Sequence, residues 1–292
     1  MDLTGERGAE LREFEDVVYP YRERSITAAG VKVVYIDEGQ GTPILFLPPA
    51  GRGLTHDEKL YAPLVAGGRR IVGLDLPGWG KSEKPDATYS IEWYLHFLER
   101  FLEALGLERP VLVGNSMGGL LAGVLAGRLA GKVAGAALIA PAGGPIPFVK
   151  RQIVGYLMSE ARLRDASPRA WRLAMGQYFH RPIPELEVLV QRGLAIARGK
   201  GWPLYCRALA RGAKAALAYD LAPRLAEVRC PVLLLWGRED RICPVSWVEA
   251  FEPRLERSRV HIIDGCGHFP AIERPEALLS VLESWLREEV AA

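Results

Sequence analysis

Val111-Leu112-Val113-Gly114-Asn115-Ser116-Met117-Gly118-Gly119 is the stretch that decides the fold. A short apolar run enters G-x-S-x-G, and small uncharged residues leave it. This order of residue types predicts a strand, a sharp turn and a helix, with Ser116 at the turn. A serine held there carries its hydroxyl clear of the sheet in a strained backbone conformation. Gly114 and Gly118 supply the room such a turn needs. The Met117 N–H, first in the helix, points to where an oxyanion would form. In a chain with 31 glycines the bare pentapeptide is a weak signal. Its specificity comes from the apolar strand before it and the helix reaching Gly127 after it.

Pro110 to Gly127 is uncharged throughout and nearly long enough for a membrane span. It also contains Asn115, Ser116 and several glycines, which suit a buried strand-turn-helix better. The 292 residues are 49% hydrophobic and 25% charged, enough for a soluble globular chain with a large core. A net charge of +2 gives no reason to expect nucleic acid as a partner. Met1 to Glu15 is charged and lacks the apolar segment of a signal peptide, so a cytoplasmic protein is expected. Cys206, Cys230, Cys243 and Cys266 show no metal-ligand spacing, and reduced, mostly buried thiols are expected, a Cys243–Cys266 disulfide being the alternative. No motif calls for a metal or another cofactor. Monomer and homodimer both stay open.

Working outward, Glu23–Ala28 and Val31–Glu38 read as strands around Ala29-Gly30, followed by strands at Ile44–Leu47 and Arg70–Leu74. A helix is expected over Asp57–Val65. The loop Asp75-Leu-Pro-Gly-Trp-Gly-Lys-Ser82 superficially resembles a phosphate-binding loop. Asp75 stands where that motif needs its first glycine, so nucleotide binding is rejected. Ile91–Leu105 has helical spacing and stops at Gly106. Gly119, Gly123 and Gly127 recur every fourth residue of the helix after Ser116 and predict a close approach to the sheet. Val133–Ile139 is another strand.

The rhythm then breaks. Between Gly143 and Leu221 the pattern is helical (Phe148–Leu163, Pro168–Phe179, Pro184–Ala197, Leu204–Ala218), with no convincing strand. Strands resume at Val232–Trp236 and Val260–Ile263, and a helix over Pro275–Glu288 closes the chain. Alternation of strand and helix predicts an α/β fold with a doubly wound, mostly parallel sheet. The domain reading is a core from 1–143 and 221–292 with a helical cap inserted at 144–220.

Nucleophilic catalysis by Ser116 needs a base and an acid to orient that base. In doubly wound sheets such groups sit at the carboxyl ends of strands. Gly237-Arg-Glu-Asp-Arg241 follows one strand and offers Asp240. Asp264-Gly-Cys-Gly-His-Phe269 follows the next and offers His268. The order Ser116, Asp240, His268 is the one a nucleophile elbow requires. His96 falls in a helix, His261 in a strand and His180 in the insertion; Glu239 and Asp264 are the nearest substitutes for Asp240.

On these landmarks (Asp75–Ser82, Gly114–Gly119, Trp236–Asp240 and Gly265–Phe269) the chain resembles an α/β-hydrolase with a helical cap, from about Arg24 to Leu286. The resemblance implies an oxyanion hole from the N–H groups of Ala50 and Met117. Relatives usually carry His-Gly where this chain has Pro48-Pro49, which touches the placement of the Ala50 donor. A serine nucleophile argues against haloalkane dehalogenases and epoxide hydrolases, which resemble this chain but attack with aspartate. Gly114-Asn115-Ser116-Met117-Gly118-Gly119 is similar to hydrolases that cleave C–C bonds of vinylogous diketo acids, in which a cap arginine holds the substrate carboxylate. That resemblance nominates Arg192, Asn115 and Phe269 as substrate-binding residues, although the glycine-rich oxyanion loop is missing and tryptophan is usual in place of Phe269.

Charge adds an independent clue. Phe148 to Tyr219 holds 13 Lys+Arg against 4 Asp+Glu, leaving 24 against 31 elsewhere. A basic cap would favour a small, acidic substrate, whereas solvated arginines on helix faces would carry no message. The sequence reading is a cofactor-free serine hydrolase, first of carboxylic esters through an acyl-enzyme and second of C–C bonds in keto acids. A ligand-binding, receptor-like protein with a retained triad is the rival class, favoured only by Pro48-Pro49.

Overall fold

The computed structural model describes residues 13–290, so most of the Met1–Glu15 reading lies outside the described residues. Eight strands form one sheet: β1 (Arg24–Ala28), β2 (Val31–Glu38), β3 (Pro43–Leu47), β4 (Arg70–Leu74), β5 (Val111–Asn115), β6 (Gly135–Ile139), β7 (Val232–Gly237) and β8 (Ser258–Ile263). Their spatial order is β1-β2-β4-β3-β5-β6-β7-β8. Only the β1–β2 and β2–β4 pairings are antiparallel; β4 through β8 run parallel. Every residue of β3, β5, β6 and β7 is buried, as their unbroken apolar runs require for strands covered on both faces. The outermost strands β1 and β8 are partly exposed.

The winding reverses at β3. The crossover β3–α1 (Glu58–Ala66)–β4 runs one way along the sheet, while β4–α2 (Ile91–Ala104)–β5 and β5–α3 (Met117–Arg128)–β6 run the other. Right-handed crossovers in opposite directions place α1 on one face and α2 with α3 on the other. Such a reversal leaves a crevice beyond the carboxyl ends of β3 and β5, where ligands bind in open α/β sheets.

Between β6 and β7 the described chain is helical: α4 (Phe148–Leu157), α5 (Glu160–Arg164), α6 (Pro168–Gly176), α7 (Pro184–Ile196), α8 (Trp202–Ala218) and the short α9 (Ala222–Leu225). The single helix expected over Phe148–Leu163 is two, because Ser159 is extended (φ −72°, ψ 149°) and restarts the chain into α5. After β7 come α10 (Val248–Phe251), α11 (Pro270–Glu273) and α12 (Pro275–Trp285), the last ending three residues before the expected Glu288 in a wider π turn. The glycines of α3 serve more than the sheet. A Cβ on Gly123 would meet Leu138 of β6 at 3.3 Å and Leu225 of α9 at 3.2 Å, and one on Gly127 would meet Glu227 at 3.0 Å. The helix is thus narrow enough to lie between β6 and α9.

Asp75 organises the loop that resembled a phosphate-binding motif. It is fully buried and accepts hydrogen bonds from Tyr19 Oη (2.6 Å), Leu54 N (2.8 Å) and Lys81 N (2.8 Å). Its carboxylate therefore ties the loop after β4 to the loop after β3, where the candidate oxyanion donor lies. No helix among the described residues is long and apolar enough to cross a membrane.

Candidate active site

Ser116 has φ 56° and ψ −117°, a conformation L-residues rarely adopt and one that costs about 1–3 kcal/mol. The surroundings enforce it. Ser116 N donates to Ile139 O (2.9 Å), while Ser116 O accepts from Ala142 N (2.9 Å) and Leu120 N (3.0 Å). A Cβ on Gly114 would lie 2.7 Å from Gly119 N, and one on Gly118 would lie 2.8 Å from Pro48 O and nearer still to the Leu47 carbonyl. The elbow is therefore wedged against the loop after β3.

That loop begins with two residues that have no N–H, so Ala50 is its first donor. Pro49 O accepts from Arg52 N at 3.0 Å and Gly51 has φ 73°, a four-residue turn of the kind that demands glycine at its third place. Among the described residues the Ala50 N–H bonds no protein group. Met117 opens α3, where an N–H has no carbonyl one turn earlier. Tyr205 of α8 donates to Gly51 O at 3.0 Å and anchors the loop to that helix.

Asp240 and His268 meet, fully buried as side chains: Asp240 Oδ2 lies 2.7 Å from His268 Nδ1. Asp240 Oδ1 accepts from Ile242 N (2.8 Å) and Cys243 N (3.0 Å), which fixes the carboxylate. His268 Nε2 is buried without a hydrogen-bond partner. Ser116 does not bond it here; its side chain lies beside the thiol of Cys243, whose pKa burial pushes well above its usual value. The substitutes weighed for Asp240 have other work. Glu239 accepts from Cys266 N (2.9 Å) and pins the histidine loop, and Asp264 pairs with Arg238 at the surface. All four cysteines are free.

The nominated substrate contacts are placed differently. Asn115 is 2% exposed and its amide is spent inside the protein, donating to Ile139 O (2.9 Å) and His268 O (3.2 Å) and accepting from His56 Nε2 (3.0 Å). It joins the ends of β5 and β6 to the histidine loop instead of facing substrate. Removing it strands a buried imidazole donor, so Asn115→Ala is expected to cost about 1–3 kcal/mol in a urea unfolding titration; an unchanged midpoint would contradict that role. Phe269, also 2% exposed, stacks on Tyr178 (4.6 Å between centroids) and meets His56 edge-on (4.8 Å). It braces the histidine loop. Arg192 reaches Thr55 Oγ1 at 3.4 Å and lines a crevice with His56, Glu58 and Lys59.

Several residues of this site had no sequence signal of their own. His56 is buried and its pKa is driven well below the usual value, first by burial and then by the Arg52 charge, so it is a neutral donor to Asn115. Glu273 accepts from Gly267 N (2.7 Å) and His180 N (3.0 Å), and Tyr178 O accepts from His268 N (2.7 Å), so the segment between α6 and α7 holds the histidine loop from outside. Asp57 is 3% exposed, and burial, opposed by the Arg52 charge, pushes its pKa from 3.8 to about 7. A folded value above the unfolded one means that folding takes up a proton. The resulting stabilisation is complete below about pH 4 and is lost as pH rises through about 7. Asp57→Asn cannot ionise and should lose less stability than the parent between about pH 4 and pH 7. Parallel declines in the two melting temperatures would refute this.

Acyl transfer to water is the chemistry that a strained serine, an imidazole–carboxylate pair and free N–H groups at strand ends can perform, and it sets the molecule among the α/β-fold hydrolases. The chain belongs to the alpha/beta hydrolase family, whose pattern its residues 44–281 match. It is 30% identical to a 2-hydroxymuconate semialdehyde hydrolase of Pseudomonas sp. (strain CF600) over 277 residues, covering 92% of this chain and 95% of that one. It is 29% identical to a 2-hydroxy-6-oxononadienedioate/2-hydroxy-6-oxononatrienedioate hydrolase of Paraburkholderia xenovorans (strain LB400), covering 84% and 87%. Among solved structures it resembles a membrane phospholipase A described as a bacterial virulence factor, with TM-score 0.76, 29% identity and coverage of 91% and 86%. These relatives favour the C–C bond alternative over the ester reading that the sequence put first.

Proposed function

We propose that the protein is a cofactor-free serine hydrolase that cleaves the C–C bond next to the keto group of a vinylogous diketo acid. The similarity over most of both chains to hydrolases named for such substrates carries this reading. In the proposed mechanism Asp240 holds the His268 imidazole so that Nε2 faces the serine, and rotation of the Ser116 side chain away from Cys243 brings the hydroxyl to it. His268 takes the hydroxyl proton as Ser116 Oγ bonds the keto carbon. The Ala50 and Met117 N–H groups hold the resulting oxyanion. The C–C bond then breaks, its electrons pass into the conjugated keto acid, and His268 returns the proton to the departing carbon. Water, deprotonated by the same imidazole, releases the acyl group from Ser116 as a carboxylic acid.

Ester cleavage is the second reading. It needs the same Ser116, His268 and Asp240, and the likeness to the phospholipase favours it. The two differ in the leaving group, which must be an electron-accepting carbon chain in one case and an alkoxide in the other. We also propose a cytoplasmic setting, in keeping with four free thiols. Turnover of a 2-hydroxy-6-oxo-dienoate, followed by loss of its chromophore beside a p-nitrophenyl ester series, separates the two chemistries.

A further inference from the structure

A cation beside the oxyanion loop has no part in the steps above. Arg52 ends the turn that contains Ala50, so its backbone is fixed two residues from that donor. Its side chain is half-buried, with Cζ 5.9 Å from the centroid of Phe269, the residue after His268. Among the described residues this guanidinium makes no hydrogen bond and no ion pair. Three arginines of α7 and α8 differ: Arg192 reaches Thr55, and Arg207 and Arg211 pair with Asp86.

A guanidinium carries five donors and stays charged, so withdrawing it from water without an acceptor is costly. The acids in its field do not discharge it. Neither Asp57 nor Glu58 forms an ion pair with it, and burial raises the pKa of both carboxyls, that of Asp57 to about 7. Tyr178 and Tyr205 share its surroundings, and burial raises the pKa of each phenol, so they stay neutral. Arg192 adds a like charge. The Phe269 face steadies the planar group, and its forked donors match a carboxylate in two parallel hydrogen bonds.

We propose that Arg52 is the docking residue for the substrate carboxylate, holding it beside the oxyanion loop while the keto group lies over Ser116. The proposal rests on the Ser116 cleft being the active site and deepens that reading by naming the residue that selects acidic substrates. It is tested with two esters of one leaving group and similar length, p-nitrophenyl butyrate and mono-p-nitrophenyl succinate, on the parent, Arg52→Gln, Arg52→Lys and Arg192→Gln, with circular dichroism to check folding. The parent should prefer the acidic ester. Arg52→Gln should lower kcat/KM for it about 10–100-fold more than for the neutral one, mainly through KM, and Arg52→Lys should restore part of the difference. Equal losses on both esters overturn the proposal, as does selectivity lost in Arg192→Gln but kept in Arg52→Gln.

If Arg52→Gln does not fold, the parent alone decides. Glutarate should inhibit neutral-ester hydrolysis competitively and at least about ten-fold more strongly than pentane-1,5-diol, and equal inhibition overturns the proposal. A parent that prefers the acidic ester but leaves the dienoate untouched refutes the C–C reading and supports the anion site. A parent with no acidic preference refutes the anion site whatever the dienoate shows.

Discussion

Ser116→Ala is expected to lower kcat/KM by at least about 10⁴-fold while leaving the melting temperature near that of the parent. The loss is large because His268 Nε2, already without a partner, would have no hydroxyl to deprotonate. The fold should survive because alanine adopts the strained backbone at φ 56° as serine does and gives up only the hydroxyl. The proposed oxyanion donors are backbone groups and remain, so a small residual rate above water is part of the expectation. A variant with a tenth of parental activity would show that the reaction does not pass through Ser116.

Gly118→Ala should damage both fold and activity. The new Cβ would lie 2.6 Å from the Leu47 carbonyl carbon and 2.8 Å from Pro48 O, and neither neighbour is a side chain that can turn away. Either β3 or the start of α3 must retreat. The first course moves Ala50 and the second moves Met117, so the two proposed oxyanion donors separate. Loss of one donor corresponds to about 10²–10³ in kcat. The overlap itself should cost about 2–4 kcal/mol of stability, read as a lower denaturation midpoint. Gly114→Ala meets the α3 backbone first, at Gly118 and Gly119, and helps separate the two kinds of damage: stability should fall with it too, with the nearest overlap on α3 instead of on the loop after β3.

The elements that position the candidate residues were legible because each is written locally. The apolar runs of β5, β7 and β8 and the polar loops after them place Ser116, Asp240 and His268 in one row of strand ends, and the sequence order was enough to pair an acid with a histidine. What joins the ends of those strands was not legible. Asn115 looked like a group beside the nucleophile and is a strut, since nothing in the chain says that its amide will meet Ile139, His268 and His56, residues up to 153 positions away. Arg52 gave no signal for the same reason: an arginine in a loop reads as solvated until the fold brings Phe269 beside it. The basic insertion pointed to an acidic substrate and the resemblance to Arg192, whereas Arg52, whose guanidinium makes no hydrogen bond or ion pair among the described residues, lies two residues past Ala50. Charge counts find a surplus but not which guanidinium lacks an acceptor.

The most direct test of the central claim is turnover of a 2-hydroxy-6-oxo-dienoate by the purified protein, followed by chromophore loss, with Ser116→Ala as control and p-nitrophenyl esters alongside. Dienoate cleavage that exceeds ester cleavage and disappears with Ser116 is the predicted result. Fast, Ser116-dependent ester cleavage with the dienoate left intact would contradict it and make the protein an esterase.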